Sequence, residues 1–326
     1  MLKIQNIKSK KLLICHDFTR DLKMYKLNLS QKKLIKKNFK NIKFIDFDPK
    51  NKNLRSCEIY WGDLIDKNKL RYFKNLKWIH LGSSGFDKLK EANLKSIILT
   101  NSKGVMTQSV SDTIFSYIFY FSRGMNYINK LRDEKKINRK NFDKHFDDIK
   151  ILSECNFIIF GNGEISKKFS SLLKNFSNNI KIFSAKKILN LKKEKIFKLH
   201  FFKKSDFIIN LLPSKIKFSN YFDKNFFTYI NKNSHFINVG RGISVNETDL
   251  YQALKTKKIK GAALDVFKDE PVNSSNIFLN LNNCLVTPHI AGWFNNYWKY
   301  ETELFQKNLR SYINGTKLKN TIYKIN

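Results

Sequence analysis

Glycine and proline are scarce in this chain of 326 residues, at 12 and 4. Cysteine is equally sparse: Cys15, Cys57, Cys155 and Cys284 lie far apart with no CxxC spacing, which argues against a disulfide framework or a thiolate metal site. No metal is expected, and four isolated thiols fit a reducing, cytoplasmic setting. Long apolar runs are also missing. A membrane span needs about 18–20 such residues, and the most apolar segment, Thr113 to Phe121, is short and holds serine and tyrosine. The first apolar block, Leu12 to Cys15, is too short for the roughly 7–15 residues of a secretory core. Arginine is the last scarcity. The net charge is +35, yet only 8 of the 62 basic residues are Arg. Phosphate and base recognition favours the planar arginine fork. The lysines are dispersed along the chain and accompany abundant Ile, Asn and Phe, so the charge reads as compositional drift, and no specific nucleic-acid partner is expected.

What is present is organised. Six of the glycines fall in three pairs, Gly82/Gly85, Gly161/Gly163 and Gly240/Gly242, marking turns that tolerate no side chain. Before residue 101, KLLICHDF, IKFIDFD, CEIYWG, LKWIHLG and SIILTN read as strands separated by Lys-rich helical stretches such as 30–39 and 66–73. One long helix is predicted over 109–128. A second series of strands follows: NFIIFG, IKIFSA, DFIINLLP, HFINVG, GAALDVF and CLVTPHI. The tail, 297–312, reads as a further helix with Leu304, Phe305 and Leu309 on one face. Strands alternating with helices define an α/β protein with mostly parallel sheets, whose ligands sit beyond the carboxyl ends of the strands.

FIIFGNGEIS places Gly161 and Gly163 between a strand and a helix start. Gly161 suits the tight turn, Gly163 the approach of a pyrophosphate, and Ser166 takes the place of a third glycine. The next strand ends in Ser184-Ala185-Lys186-Lys187 where an acid normally holds a ribose 2′-hydroxyl, and the following acid is Glu194. That composition favours NADP(H) over NAD(H), although lysine is common throughout the chain. Further on, Arg241 closes NVGR, Glu270 lies in DEP, and His289 lies in TPHIAG. A guanidinium, a carboxylate and an imidazole are the groups needed to hold a 2-keto acid and move a proton onto its carbonyl.

In this order GxGxxS, NLLPS, NVGRG, GAALDVFKDEP and TPHIAG resemble the D-isomer-specific 2-hydroxyacid dehydrogenase family. WIHLGSSGFD is similar to its substrate loop, and LFQKNLRSYINGTKLKN to its glyoxylate/hydroxypyruvate reductase branch. The resemblance implies two Rossmann-like domains: a dinucleotide-binding domain, 101–288, inserted into a discontinuous flavodoxin-like substrate domain, 1–100 plus 289–326. It implies a homodimer and reduction of a small 2-keto acid to the D-2-hydroxy acid. Arg241 would bind the substrate carboxylate, His289 would exchange the proton, and Glu270 would pair with His289 and orient its ring. Cofactor contacts are implied at Gly161, Gly163, Glu164, Ile165, Ser184 and Lys186, and at Leu212, Pro213, Val239, Gly240 and Gly292. Asp265 would hold the nicotinamide carboxamide or else cap a helix. Gly82, Ser83 and Ser84 would offer N–H groups to the carboxylate, with SSG standing where the family commonly has GAG. Trp61 and Trp293 would wall the pocket or else belong to the core. A nucleotide-sensing binding protein of the same fold, like the corepressors related to this family, is the alternative reading.

Overall fold

Compact runs of β-branched and aromatic residues, closed by small or polar ones, form strands, and the central ones are covered on both faces. The computed structural model of the chain describes residues 11–323, apart from 19–21, 28, 64, 87–88, 90–91, 93, 95 and 191–199. The expectations for Asp87 and Glu194 lie outside the described residues. The chain forms two compact units. Described residues up to Met106 join those from Trp293 onward, and Thr107–Gly292 make the second. The expected boundaries, after residues 100 and 288, differ from these by a few residues, and His289 falls in the second unit.

In the first unit β1 (Leu12–Asp17), β2 (Ile42–Asp46), β3 (Ile59–Gly62), β4 (Trp78–Leu81) and β5 (Ile98–Asn101) form a parallel sheet in the order β5-β4-β3-β1-β2. Alternation along β3 sends Tyr60 into the core on one face and Ile59 and Trp61 into the core on the other. Trp61 is therefore no pocket wall. It is fully buried, stacked on Phe305 with ring centroids 4.0 Å apart, and its Nε1–H donates to Glu301 at 2.8 Å. Glu301 is itself wholly buried. It also accepts from the Ser102 hydroxyl and lies 3.4 Å from His80 Nε2.

The second unit holds β6 (Phe157–Phe160), β7 (Ile180–Phe183), β8 (Phe207–Asn210), β9 (His235–Asn238), β10 (Gly261–Leu264) and β11 (Cys284–Val286). All pair in parallel, in the order β11-β10-β9-β8-β6-β7. The order reverses between β6 and β8, which opens the crevice where α/β sheets bind ligands. Phenylalanines fill one core, among them Phe160, Phe202, Phe222 and Phe236; each such ring, fully buried, contributes about 1.5–3 kcal/mol.

The single helix expected over 109–128 is two, Thr107–Ser122 and Met125–Asp133. Gly124 separates them at φ +67°, a left-handed turn, and a Cβ there would lie 2.6 Å from Ile149 Cδ1. After the second unit the chain returns to the first. Helix Tyr297–Ile313 packs Phe305 and Leu309 into its core, and β12 (Thr321–Tyr323) adds an antiparallel edge to β5. Among the described residues no helix is long and apolar enough to cross a membrane.

Candidate functional site

The turn after β6 is shaped by two glycines for different reasons. Gly161 has φ +111°, and a Cβ there would sit 2.6 Å from the Leu211 carbonyl oxygen, so neighbouring backbone dictates glycine. A Cβ on Gly163 would meet no protein atom within 4 Å. Helix Glu164–Leu173 starts immediately after it without a side-chain cap, so its first N–H groups, at Glu164 and Ile165, suit an anion. Ser166 is buried, and its hydroxyl donates to Gly161 O at 2.9 Å, tying the helix to the turn. After β7, Ser184 Oγ accepts the Lys187 N–H at 3.1 Å, and Lys186 is exposed.

A buried amide pair that sequence reasoning missed shapes the turns after β8 and β9. Asn210 Nδ2 donates to Asn238 Oδ1 at 2.8 Å and to Ser244 Oγ at 2.7 Å, while Asn210 Oδ1 accepts from Leu212 N–H at 3.0 Å. Asn238 Oδ1 also takes the Gly240 N–H at 3.2 Å. The turns at Leu212 and Gly240 are thus brought side by side, with Pro213 and Val239 next to them in sequence, and a Cβ on Gly240 would press to 3.0 Å from Leu212 O. Arg241 follows, half-buried, with Nη1 donating to Gly240 O at 2.7 Å.

Asp265, at the end of β10, is buried and caps no helix. Its carboxylate accepts from the Thr287 hydroxyl at 2.7 Å, Ile290 N–H at 2.8 Å and Ala291 N–H at 3.0 Å. Its carbonyl accepts from His289 N–H at 2.8 Å. The hydroxyls of Ser109 and Thr113 donate to Ala291 O at 3.1 and 3.0 Å. These bonds hold residues 287–291, and hence Gly292 beyond them, to the second unit. They also maintain His289 at φ +56°, a left-handed backbone that non-glycine residues adopt when surroundings enforce it.

His289 Nδ1 meets Glu270 Oε2 at 2.8 Å, and Glu270 Oε1 accepts the Phe267 N–H at 3.0 Å. The two side chains are 50% and 33% exposed, so the pair is open to solvent. Burial pushes the Glu270 carboxyl up. The hydrogen bonds from His289 and Phe267, with the charges of His289 and Arg241, outweigh it and hold the group below its ordinary value. Arg241, Glu270 and His289, remote in sequence, belong to one unit and one electrostatic neighbourhood.

In the first unit the carbonyls of Leu81, Gly82, Ser83 and Ser84 all accept hydrogen bonds. Their donors are Ser102 Oγ at 2.8 Å, Tyr297 OH at 2.6 Å, Ser102 N–H at 3.1 Å and Asn101 Nδ2 at 2.6 Å. A trans peptide points its N–H opposite to its carbonyl, so the N–H groups of Ser83, Ser84 and Gly85 face away from those donors. Gly82 departs from expectation, because its own N–H continues the β3–β4 ladder to Gly62 O at 3.0 Å. Ser83 Oγ turns back to Gly85 O at 3.2 Å. Trp293 is 38% exposed and stands edge-on to Tyr25 at 6.3 Å.

A parallel sheet with an uncapped glycine turn and a carboxylate–imidazole pair beyond its strands describes a dinucleotide-dependent oxidoreductase. Residues 115–291, over half of the chain, match the family profile described as D-isomer specific 2-hydroxyacid dehydrogenase, NAD binding domain. The chain belongs to this family of NAD(P)-dependent oxidoreductases. It is 28% identical over 267 residues to the probable 2-ketogluconate reductase of Dictyostelium discoideum, covering 79% of each chain. It is 26% identical over 264 residues to the glyoxylate reductase of Pyrococcus horikoshii, covering 78% of each. Its fold is similar to that of the solved NADPH-dependent glyoxylate/hydroxypyruvate reductase of Sinorhizobium meliloti in complex with NADP and sulfate, with a TM-score of 0.77 and 18% identity over 96% of this chain and 98% of that one.

Proposed function

We propose that this chain reduces a small 2-keto acid, glyoxylate or hydroxypyruvate, to the D-2-hydroxy acid, with NADPH preferred to NADH. The observation that carries the reading is the His289–Glu270 bond of 2.8 Å, in the unit that also bears Arg241 and the dinucleotide turn. The residues present fit a dinucleotide, since Gly163 leaves room for it and the helix beginning at Glu164 lacks a side-chain cap. Gly161, Gly163, Glu164 and Ile165 would hold its pyrophosphate, Ser184 and Lys186 its ribose phosphate, and Leu212, Pro213, Val239, Gly240, Asp265 and Gly292 the rest. When bound, the reduced nicotinamide supplies a hydride. Arg241 binds the substrate carboxylate and polarises the keto oxygen. His289, its Nδ1 engaged with Glu270, delivers the proton from Nε2 to that oxygen. Glu270 fixes the ring and stabilises the imidazolium before transfer. Within the first unit, the backbone N–H groups of Ser83 and Ser84 suit an anion such as a carboxylate, and Trp293 is open to solvent.

The names of the relatives support the substrate class, and the absence of an acid between Phe183 and Lys187 supports NADPH. A homodimer and a cytoplasmic location belong to the same reading; resemblance supports the first and four unpaired thiols the second. The test is oxidation of NADPH and of NADH by the purified protein with glyoxylate, hydroxypyruvate, pyruvate and bulkier keto acids. Turnover with the smaller acids and a higher kcat/KM for NADPH are expected. Ser184→Asp should reverse the cofactor preference by repelling a 2′-phosphate. No turnover with any of the acids would remove the proposal.

A further inference from the structure

The turns that carry Arg241 and Glu270 touch through a single peptide unit. A Cβ on Gly242 would fall 1.9 Å from the Phe267 carbonyl carbon and 2.3 Å from Lys268 N, so the Arg241–Gly242 turn lies directly against the Phe267–Lys268 peptide. The N–H of that peptide donates to Glu247 Oε1 at 2.6 Å. On the other side of Phe267, its own N–H holds Glu270 Oε1 at 3.0 Å. Glu247 is rigidly connected to Arg241. The Ser244 hydroxyl donates to Arg241 O at 2.7 Å, Val245 N–H to Gly242 O at 2.9 Å, and Asn246 caps the helix that Glu247 opens, accepting Asp249 N–H at 3.1 Å. One end of the Glu247–Lys268 bond therefore belongs to the guanidinium's turn and the other to the carboxylate's.

We propose that Glu247 is a positioning residue that fixes Glu270, and through it His289, relative to Arg241 by clamping the Phe267–Lys268 peptide. The proposal rests on the catalytic reading of those three residues. Glu247 is half-buried. Burial and the negative charges of Asp269 and Glu270 raise its carboxyl above the ordinary value, against the Lys268 N–H bond and the Lys268 charge. A carboxylate kept among carboxylates is explained by what it holds.

The test compares Glu247→Ala with Glu247→Gln. Both remove the charge, and only glutamine keeps an acceptor oxygen, so their difference isolates the hydrogen bond. With glyoxylate and NADPH, Glu247→Ala should lower kcat about tenfold, as small misplacements of reacting groups do, with the cofactor KM unchanged within about twofold. Glu247→Gln should stay near the wild type. The second readout needs no turnover: carbon NMR titration of the Glu270 carboxyl. Its midpoint should rise towards the ordinary glutamate range in the alanine variant and stay depressed in the glutamine variant. Equal kcat values and equal Glu270 titrations in the two variants would overturn the proposal. If the alanine variant folds poorly, Glu247→Asp, shorter by one methylene, should show the same fall in kcat, and a wild-type kcat there would equally overturn it. Wild-type protein inert towards every keto acid would sink the proposed function, and the Glu270 titration would still decide the role of Glu247.

Discussion

Glu270 divides its two carboxylate oxygens between His289 Nδ1, at 2.8 Å, and the Phe267 N–H, at 3.0 Å. One oxygen orients the imidazole, and the other fastens the carboxylate to its own turn. The ring is therefore set by a group that is itself immobilised.

Replacing the imidazole tests the proton step. His289→Asn should lower kcat for keto-acid reduction by about 10²–10⁴-fold, the usual contribution of a general acid. Cofactor affinity, read from quenching of protein fluorescence, should remain as in the wild type, because the dinucleotide turn lies on β6.

The depressed Glu270 carboxyl gives a pH signature. A group whose folded value lies below its unfolded one adds stability above the unfolded pKa and loses it as pH falls through the folded pKa. Glu270→Gln should therefore have a lower Tm than the wild type near neutral pH. The gap should close on acidification below the ordinary glutamate range. A gap that is constant or widens in acid would contradict the assignment.

Asp265 holds three donors around a left-handed His289. Asp265→Ala strands two N–H groups and the Thr287 hydroxyl, each costing about 1 kcal/mol or more. Urea unfolding should show a loss of about 2–4 kcal/mol, accompanied by a fall in kcat because residues 287–291 lose their anchor.

In the first unit, Glu301→Ala removes the acceptor for Trp61 Nε1 and the Ser102 hydroxyl in a fully buried setting. A loss of about 2–4 kcal/mol is expected by thermal or urea unfolding. Glu301→Gln, which keeps an acceptor oxygen, should cost less.

Eleven strands were legible because each is a short apolar run with a clear stop, and parallel strands buried on both faces leave that mark. β12, three residues at a sheet edge beyond the 297–312 helix, has no such run and carries no strand signal. The helix over 109–128 looked continuous because apolar spacing persists on both sides of Gly124, and only packing against Ile149 and Phe142 shows why the chain turns there. The candidate site residues stand in the sequence as motifs. Their support does not: Asn210 and Asn238 are 28 residues apart, and nothing in either segment announces an amide pair. Glu301 could have been placed. It precedes Phe305 by one helical turn, on the face that carries Leu309 inward.

Because β12 and helix Tyr297–Ile313 complete the sheet edge and one core of the unit begun by β1–β5, those strands are synthesised well before the partners they pack against. Thr107–Gly292, an unbroken stretch, has everything it needs earlier. The unit begun earlier thus closes later: one face of its sheet packs on its own residues, such as Leu54 and Leu76, and the other waits for Phe305 and Leu309.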